Sequence, residues 1–216
     1  FDLGNVLIDF KPIKYIKSLG YDDEKVLEIF NKTIKDPIWA DMDRGIYRDK
    51  ESYVKAFEEK YPEIKNDIDK FLGGPWMENV IFPLKDNLKM IDLVKEKGLK
   101  YYILSNYPKD AFEYTYNMCP FIQNADGMVI SYDVLMIKPD KNIYLKLLDK
   151  YGLKANECLF IDDLDINVEG AKSVGINAFV FKDLEDGYKK LEEYLKGEWY
   201  ATISWFMSTC LGTWWK

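Results

Sequence analysis

The stretch Phe1-Asp2-Leu3-Gly4-Asn5-Val6-Leu7-Ile8 decides how the whole chain is read. It sets one carboxylate among apolar residues and then turns through a glycine. A carboxylate at a strand end, followed by a loop with free backbone N–H groups, has the parts needed to attack a phosphoryl group. The amides hold the phosphoryl oxygens while the carboxylate forms a covalent aspartyl-phosphate. Asp-x-Gly-Asn is also the sequence of an ordinary turn, so the stretch takes its meaning from what lies downstream. A strand needs about five residues, and Phe1-Asp2 supplies only its end. The expectation is a clipped first strand, with a charged amino terminus beside Asp2.

Outward from that stretch, composition narrows the classes. A chain of 216 residues holds one large domain or a core with a smaller insert. The apolar share of 48% is ample for a core, and 31% charged residues argue against disorder. The net charge of -7 disfavours nucleic acid and anionic membrane surfaces as partners. Histidine is absent, which excludes Ser-His-Asp and Cys-His sites, imidazole zinc sites and a histidine general base. Cys119, Cys158 and Cys210 are odd in number and far apart, without metal-ligand spacing. With no basic-then-apolar leader, they point to a reducing compartment and a cytoplasmic protein.

From Pro12 to about Phe82 the pattern is helical. Asp22-Asp23-Glu24 opens one helix, Asp49 to Tyr61 reads as a second, and Glu63 to Leu72 as a third closed by Gly73-Gly74-Pro75. No strand is expected there. After Pro83 the rhythm changes. Asp86 is placed to cap a helix ended by Gly98, and Lys100 to Ser105 reads as a buried strand. A short strand follows near Met128-Val129-Ile130, then a helix from Pro139 stopped by Gly152. Cys158 to Ile161 is a third strand, Asp165 to Val174 a helix, Ile176 to Phe181 a fourth strand, and a last helix runs to about Lys196. Strands alternating with helices predict an α/β fold, a Rossmann-like parallel sheet covered on both faces, with ligands at the carboxyl ends of the strands. The expected division is a core of residues 1–11 and 83–197, a helical cap of 12–82, and an atypical apolar tail of 198–216. The uncharged run Trp199 to Trp215 holds four of the six tryptophans. Its length is at the bottom of the roughly 17–25 residues of a membrane span, and its middle is only mildly apolar, so a docked or non-native extension is the preferred reading.

Four points on this sheet edge carry candidate groups. Asp2 is the first. Ser105-Asn106 offers a hydroxyl and backbone amides just before a helix near Pro108, suited to phosphate oxygens, although a simple N-cap looks the same. Lys138, in Met136-Ile137-Lys138-Pro139-Asp140, is expected to be fixed by a proline in the first helical turn and to neutralise nucleophile and phosphoryl oxygens. Asp162-Asp163 ends the third strand, where adjacent side chains can share one site. Two carboxylates so close need a cation between them, and oxygen ligands without histidine or cysteine favour Mg²⁺. Capping by Asp163 or Asp165 is the plainer reading of that pair. Coincidence of all four on one edge weighs against four separate capping accidents.

In this order the motifs Phe1-Asp2-Leu3-Gly4-Asn5-Val6, Ile103-Leu104-Ser105-Asn106, Ile137-Lys138-Pro139-Asp140 and Phe160-Ile161-Asp162-Asp163 through Asn167 resemble those of the haloacid dehalogenase-like hydrolase superfamily. The branch is that of small phosphatases with a helical cap inserted after the first strand, and within it the glucose-1-phosphatase-like enzymes. Those share the Asp-Leu-Gly-Asn opening and a cap segment similar to Asp43-Arg44-Gly45. The resemblance covers Phe1 to about Lys196. It implies that Asp2 is the nucleophile, that Ser105 and Asn106 bind the phosphoryl group, and that Lys138 stabilises it. It also implies that Asp162 and Asp163 hold Mg²⁺ together with Asp2, and that Arg44 contacts substrate. A surface ion pair with Asp41 or Asp43 competes for that arginine.

One position departs from the pattern. Most phosphatases of the superfamily carry a second aspartate two residues after the nucleophile, as general acid and later base. Here the position is Gly4, and help of that kind is typically worth about 10²–10⁴-fold. Either the leaving group needs little protonation, as for an anomeric sugar oxygen, or Asp9 or a water supplies the proton. Glycine there permits backbone angles closed to aspartate, and its carbonyl can ligate the metal. The leading expectation is therefore a Mg²⁺-dependent phosphatase of a small phosphorylated metabolite such as an aldose 1-phosphate, monomeric or homodimeric. A 2-haloacid dehalogenase, which needs no metal, and a binding protein without turnover are the alternatives.

Overall fold

The computed structural model describes residues 1–47 and 49–197. The tail from 198 onward lies outside the described residues, and with it the reading of Trp199 to Trp215.

Six strands carry the architecture: β1 (Ile8–Phe10), β2 (Ile81–Pro83), β3 (Tyr102–Ser105), β4 (Gly127–Ile130), β5 (Leu159–Asp162) and β6 (Asn177–Val180). Strands β3 and β4 pair in parallel, as do β5 and β6. The opening residues join these two pairs. The Phe1 nitrogen donates to the Tyr102 carbonyl at 2.8 Å and the Phe1 carbonyl accepts from Leu104 at 3.0 Å. On the other side, the Asp2 N–H donates to the Ile161 carbonyl at 2.9 Å. The order is thus β4, β3, the Phe1-Asp2 segment, β5, β6.

Successive strand residues point to opposite faces, and the packing follows. Leu104, Val129, Phe160 and Ala178 join one apolar cluster with Ile143, Tyr144 and Val168 from the helices Lys141–Tyr151 and Asp165–Ser173. Their neighbours Ile103, Ile130, Ile161 and Phe179 join another, with Ile91 and Leu191 from the helices Lys89–Glu96 and Leu184–Leu195. The chain has the α/β architecture expected, a parallel sheet covered on both faces.

After Leu3 the chain makes a tight turn, in which the N–H groups of Val6, Leu7 and Ile8 all donate to the Leu3 carbonyl and Asn5 takes φ 53°. It then enters the antiparallel pair β1–β2. Between these two strands lie the helices from Pro12 to Val80. Asp22 and Asp49 cap two of them as expected, Asp49 within a capping box. Apolar packing runs unbroken between this helical region and the sheet. Trp39 meets both Phe10 and Trp76, and Tyr53 donates to Asp110 on the helix Lys109–Met118.

Four expectations need correction. Residues 81 and 82 are strand rather than helical region, because Ile81 and Phe82 pair with Phe10 and Asp9. The helix expected over Glu63 to Leu72 is broken into a 3₁₀ turn (Pro62–Ile64), one α turn (Lys65–Ile68) and a widened π turn (Asp69–Gly73). Through these changes of pitch the segment buries Ile64, Ile68, Phe71 and Leu72 in the core. Asp86 caps nothing; it sits in a 3₁₀ turn (Lys85–Leu88) whose Asn87 side chain is buried and donates to the Val6 carbonyl at 2.7 Å. The helix expected from Pro139 starts at Lys141 with Asp140 as its cap, and ends at Gly152 with φ 63°.

Candidate active site

The central segment and two strands bring their carboxyl ends together near the opening turn. Asp2 follows the central segment, Ser105 closes β3 and Asp162 closes β5, and all three are buried. Lys138 comes from the loop after β4 and is 3% exposed. Its ammonium lies 2.8 Å from Asp2 Oδ1 and 2.6 Å from Asp162 Oδ2. Ser105 Oγ donates to the same Asp2 Oδ1 at 2.6 Å. One oxygen of Asp2 is therefore held twice, and Oδ2 receives no hydrogen bond from the described residues.

Electrostatics follow from this burial. Burial raises the Asp2 carboxyl to about 6, against the pull of Lys138 and with a push from Asp162. Burial by itself would lower Lys138, but two carboxylates in contact hold its ammonium above the ordinary lysine range. Asp163 is raised by burial, partly offset by a hydrogen bond from Asn5 Nδ2 at 2.9 Å.

Several candidates act on other protein groups rather than on the cavity. Asn106 lines the cavity, yet its amide grips the backbone of Lys138: Oδ1 accepts from the Lys138 N–H at 2.8 Å and Nδ2 donates to its carbonyl at 3.1 Å. This clamp, and not a proline in a first helical turn, fixes the lysine, since the helix begins only at Lys141. Asp162 takes bonds from Lys138, from the Leu164 N–H at 2.9 Å and from Asn167 Nδ2 at 3.0 and 3.2 Å. Asn167, itself anchored by Tyr144 through its carbonyl, is the orienting residue behind that carboxylate. Its spacing of five from Asp162 was the available signal. Arg44 stands apart: it caps the helix Pro37–Asp43 from outside, and its guanidinium pairs with Asp41 at 2.6 Å. Successive residues at a helix end point about 100° apart, and it is the preceding residue, Asp43, that lines the cavity. Asp9 pairs with Lys11 and does not line the cavity. Gly4 has ordinary negative φ, and a Cβ there would meet only Asp2 Oδ2 at 3.9 Å. The angles that glycine permits and aspartate does not are therefore not used at this position.

The donor set fits a hard cation. Asp2, Asp162 and Asp163 each offer an oxygen, all within 4.8 Å of one another. With Lys138 as the sole contacting cation among the described residues, three carboxylates leave an excess of negative charge. Asp2 Oδ2 and Asp163 Oδ1 carry no bond from described residues, while both oxygens of Asp162 are engaged. An all-oxygen set of this kind is what Mg²⁺ takes, together with water and phosphate. The adjoining cavity is about 840 Å³. Its walls are largely apolar, with Phe10, Phe30, Trp39, Trp76 and Tyr107, and Lys11, Lys14, Lys17 and Lys35 also line it.

Known proteins resemble this chain over much of its length. A family model described as haloacid dehalogenase-like hydrolase matches residues 1–175. Bifunctional epoxide hydrolase 2 of Rattus norvegicus is 34% identical over 76 residues, which are 35% of this chain and 14% of that protein. The chain thus spans a small fraction of that relative. The phosphorylated carbohydrates phosphatase of Thermotoga maritima is 27% identical over 200 residues, covering 89% of this chain and 88% of the other. Among solved structures, a HAD family enzyme from Bacteroides thetaiotaomicron in complex with magnesium and inorganic phosphate superposes with TM-score 0.64. It is 23% identical and covers 84% of this chain and 91% of its own, a likeness of fold. Among the described residues, no helix is long and apolar enough to cross a membrane.

Proposed function

The chain belongs to the haloacid dehalogenase-like hydrolases, and from that premise we propose that it is a Mg²⁺-dependent phosphomonoesterase of a small phosphorylated metabolite. The observation that carries this reading is the buried Lys138 ammonium shared between Asp2 and Asp162, with Asp163 beside them at the cavity floor. In this reading Asp2 is the nucleophile: its carboxylate attacks phosphorus, the bond to the ester oxygen breaks, and an aspartyl-phosphate forms. Ser105 and Lys138 fix the rotamer of Asp2, and Lys138 also faces the negative charge of the transferring group. Asp2, Asp163 and the Gly4 carbonyl would hold Mg²⁺, with Asp162 adding charge and organising the loop. When bound, the ion neutralises phosphoryl charge and favours the ionised form of Asp2. Water then cleaves the aspartyl-phosphate and frees Asp2.

A sugar phosphate is the finer substrate assignment, supported by the Thermotoga maritima relative, which covers nearly the whole chain. A second reading has one observation in its favour: the aromatic wall of Phe10, Trp39 and Trp76 suits an ester of an apolar alcohol. Phosphate release from sugar phosphates, alkyl phosphates and aryl phosphates, each in Mg²⁺ and in EDTA, separates the two by rank order. Parent protein is expected to release phosphate only with Mg²⁺, and Asp2→Asn to release none while melting as a folded protein. An Asp2→Asn variant as active as its parent would overturn the mechanism. Halide release from a 2-haloacid in EDTA would make the protein a dehalogenase instead, and binding of phosphate without turnover of any ester would make it a binding protein.

A further inference from the structure

The site as described has a nucleophile and cations but no acid for the departing oxygen. Gly4 supplies none, and Asp9 is paired with Lys11 and does not itself line the cavity. Lys138 is bonded to two carboxylates, which hold its protons. The Tyr107 phenol reaches the cavity but is bonded to Thr115 Oγ1 at 3.2 Å, and burial pushes it up, away from useful acidity.

Asp43 remains. It is the last residue of the helix Pro37–Asp43 and lines the same cavity as Asp2 and Lys138. Its carboxyl has neither a hydrogen bond nor an ion pair among the described residues, whereas its backbone is pinned. Ser131 Oγ donates to the Asp43 carbonyl, binding this turn to the core just after β4. Two residues on, Gly45 takes φ 81° against the Tyr132 backbone, where a Cβ would meet the Tyr132 carbonyl oxygen at 2.5 Å. The backbone of Asp43 is thus fixed, and its half-buried carboxyl is left open to the cavity.

Resting on the phosphomonoesterase reading, we propose that Asp43 is the general acid and base of this site, performing from the helical region the task that Gly4 cannot. In the first half-reaction, Asp2 bonds to phosphorus and the ester P–O bond breaks. The carboxyl proton of Asp43 passes to the leaving oxygen, so that alcohol departs and Asp43 is left ionised. In the second, the Asp43 carboxylate takes a proton from water as the water oxygen bonds to phosphorus. The bond from phosphorus to Asp2 breaks, releasing phosphate with Asp2 ionised and Asp43 protonated as at the start. The charge state fits. Burial pushes the Asp43 carboxyl up to about 8, opposed by Lys138 and reinforced by Asp2, so it carries its proton at neutral pH. The groups facing it are Asp2, Lys138 and Tyr107 from the core and Lys11, Lys14, Lys17 and Lys35 at the cavity, with Asp41 and Arg44 paired to each other on its own helix end.

The test compares esters that differ in their need for a proton, on Asp43→Asn and its parent. An alkyl phosphate has a poor leaving group, whereas p-nitrophenyl phosphate loses an anion that is stable unprotonated. Asp43→Asn is expected to lose about 10²–10⁴-fold in kcat/KM on the alkyl ester and less than about tenfold on the aryl ester. With the aryl ester a burst of nitrophenolate is expected, because the second half-reaction still lacks its base. Adding Gly4→Asp to Asp43→Asn should recover at least part of the alkyl-ester activity, since the backbone at Gly4 admits a side chain. Equal losses on both esters, or no loss on either, would overturn the proposal. A parent that hydrolyses neither ester, with Asp2→Asn indistinguishable from it, would instead remove the phosphatase reading on which the proposal stands.

Discussion

Lys138→Met tests the charge arrangement most directly. Methionine keeps the length and apolar stem of lysine but removes the ammonium. The lost contacts are at 2.8 and 2.6 Å to two carboxylates that are themselves nearly inaccessible, 8% and 0% exposed in their side chains. Taking away one partner of a buried pair typically costs about 3–5 kcal/mol, because the other charge is left without compensation. Here two are left, and they face each other as well. For a domain of this size about 1 kcal/mol corresponds to about 2–4 °C, so the melting temperature in EDTA should fall by roughly 6–20 °C. A dication can take over part of the compensation, so Mg²⁺ should raise the melting temperature of Lys138→Met more than that of the parent. The assay is thermal and urea unfolding of both proteins in EDTA and in Mg²⁺. Lys172→Met, which removes an exposed pair with Glu169, serves as control and should change nothing measurable. A Lys138→Met protein that melts within about 2 °C of its parent in EDTA would refute the reasoning, since a buried charge stripped of its partner costs more than that.

Two further outcomes follow from the helical region. Asp36 caps the helix Pro37–Asp43 through the Ile38 N–H at 2.9 Å and accepts from Lys60 Nζ at 2.6 Å and from the Tyr61 hydroxyl. Burial would raise its carboxyl, but these donors prevail and hold it below the ordinary aspartate range. A depressed folded pKa contributes stability that is present above the unfolded value near 3.8 and lost as pH falls through the folded one. Asp36→Ala should therefore cost about 1–2 kcal/mol in urea unfolding at neutral pH, and the gap to the parent should shrink below about pH 4. Gly45→Ala places a Cβ into the Tyr132 carbonyl at a left-handed φ of 81°. It should lower both the melting temperature and the rate of phosphate release by shifting the Asp43 turn, and an unchanged rate would show that this turn does not position a working group.

Much of the fold was legible because its determinants are local. Alternating strand and helix patterns, the caps at Asp22 and Asp49 and the stop at Gly152 each depend on a few neighbouring residues. Failures fell where a tertiary contact overrode a local preference. The burial of Asn87 against the Val6 carbonyl turned an expected helix start into a 3₁₀ turn, and the segment that buries Ile64, Ile68, Phe71 and Leu72 is broken into three short turns. At the site, residue types at strand ends were enough to nominate Asp2, Ser105, Lys138, Asp162 and Asp163. Nothing local separated Asn106 as a binder of phosphate from Asn106 as the clamp on Lys138, 32 positions away.

By itself, then, the sequence determined the α/β class, the order of the motifs and the absence of imidazole chemistry, since these are properties of composition and short-range periodicity. The tertiary structure decided which groups touch. It gave one oxygen of Asp2 to both Ser105 and Lys138, turned Arg44 toward Asp41 and away from the cavity, and set Asp43 on the cavity that Asp2 lines, with no partner among the described residues. Contacts and charge states of this kind depend on burial and on distances between residues remote in the chain, and those exist only once the sheet and the helices have packed.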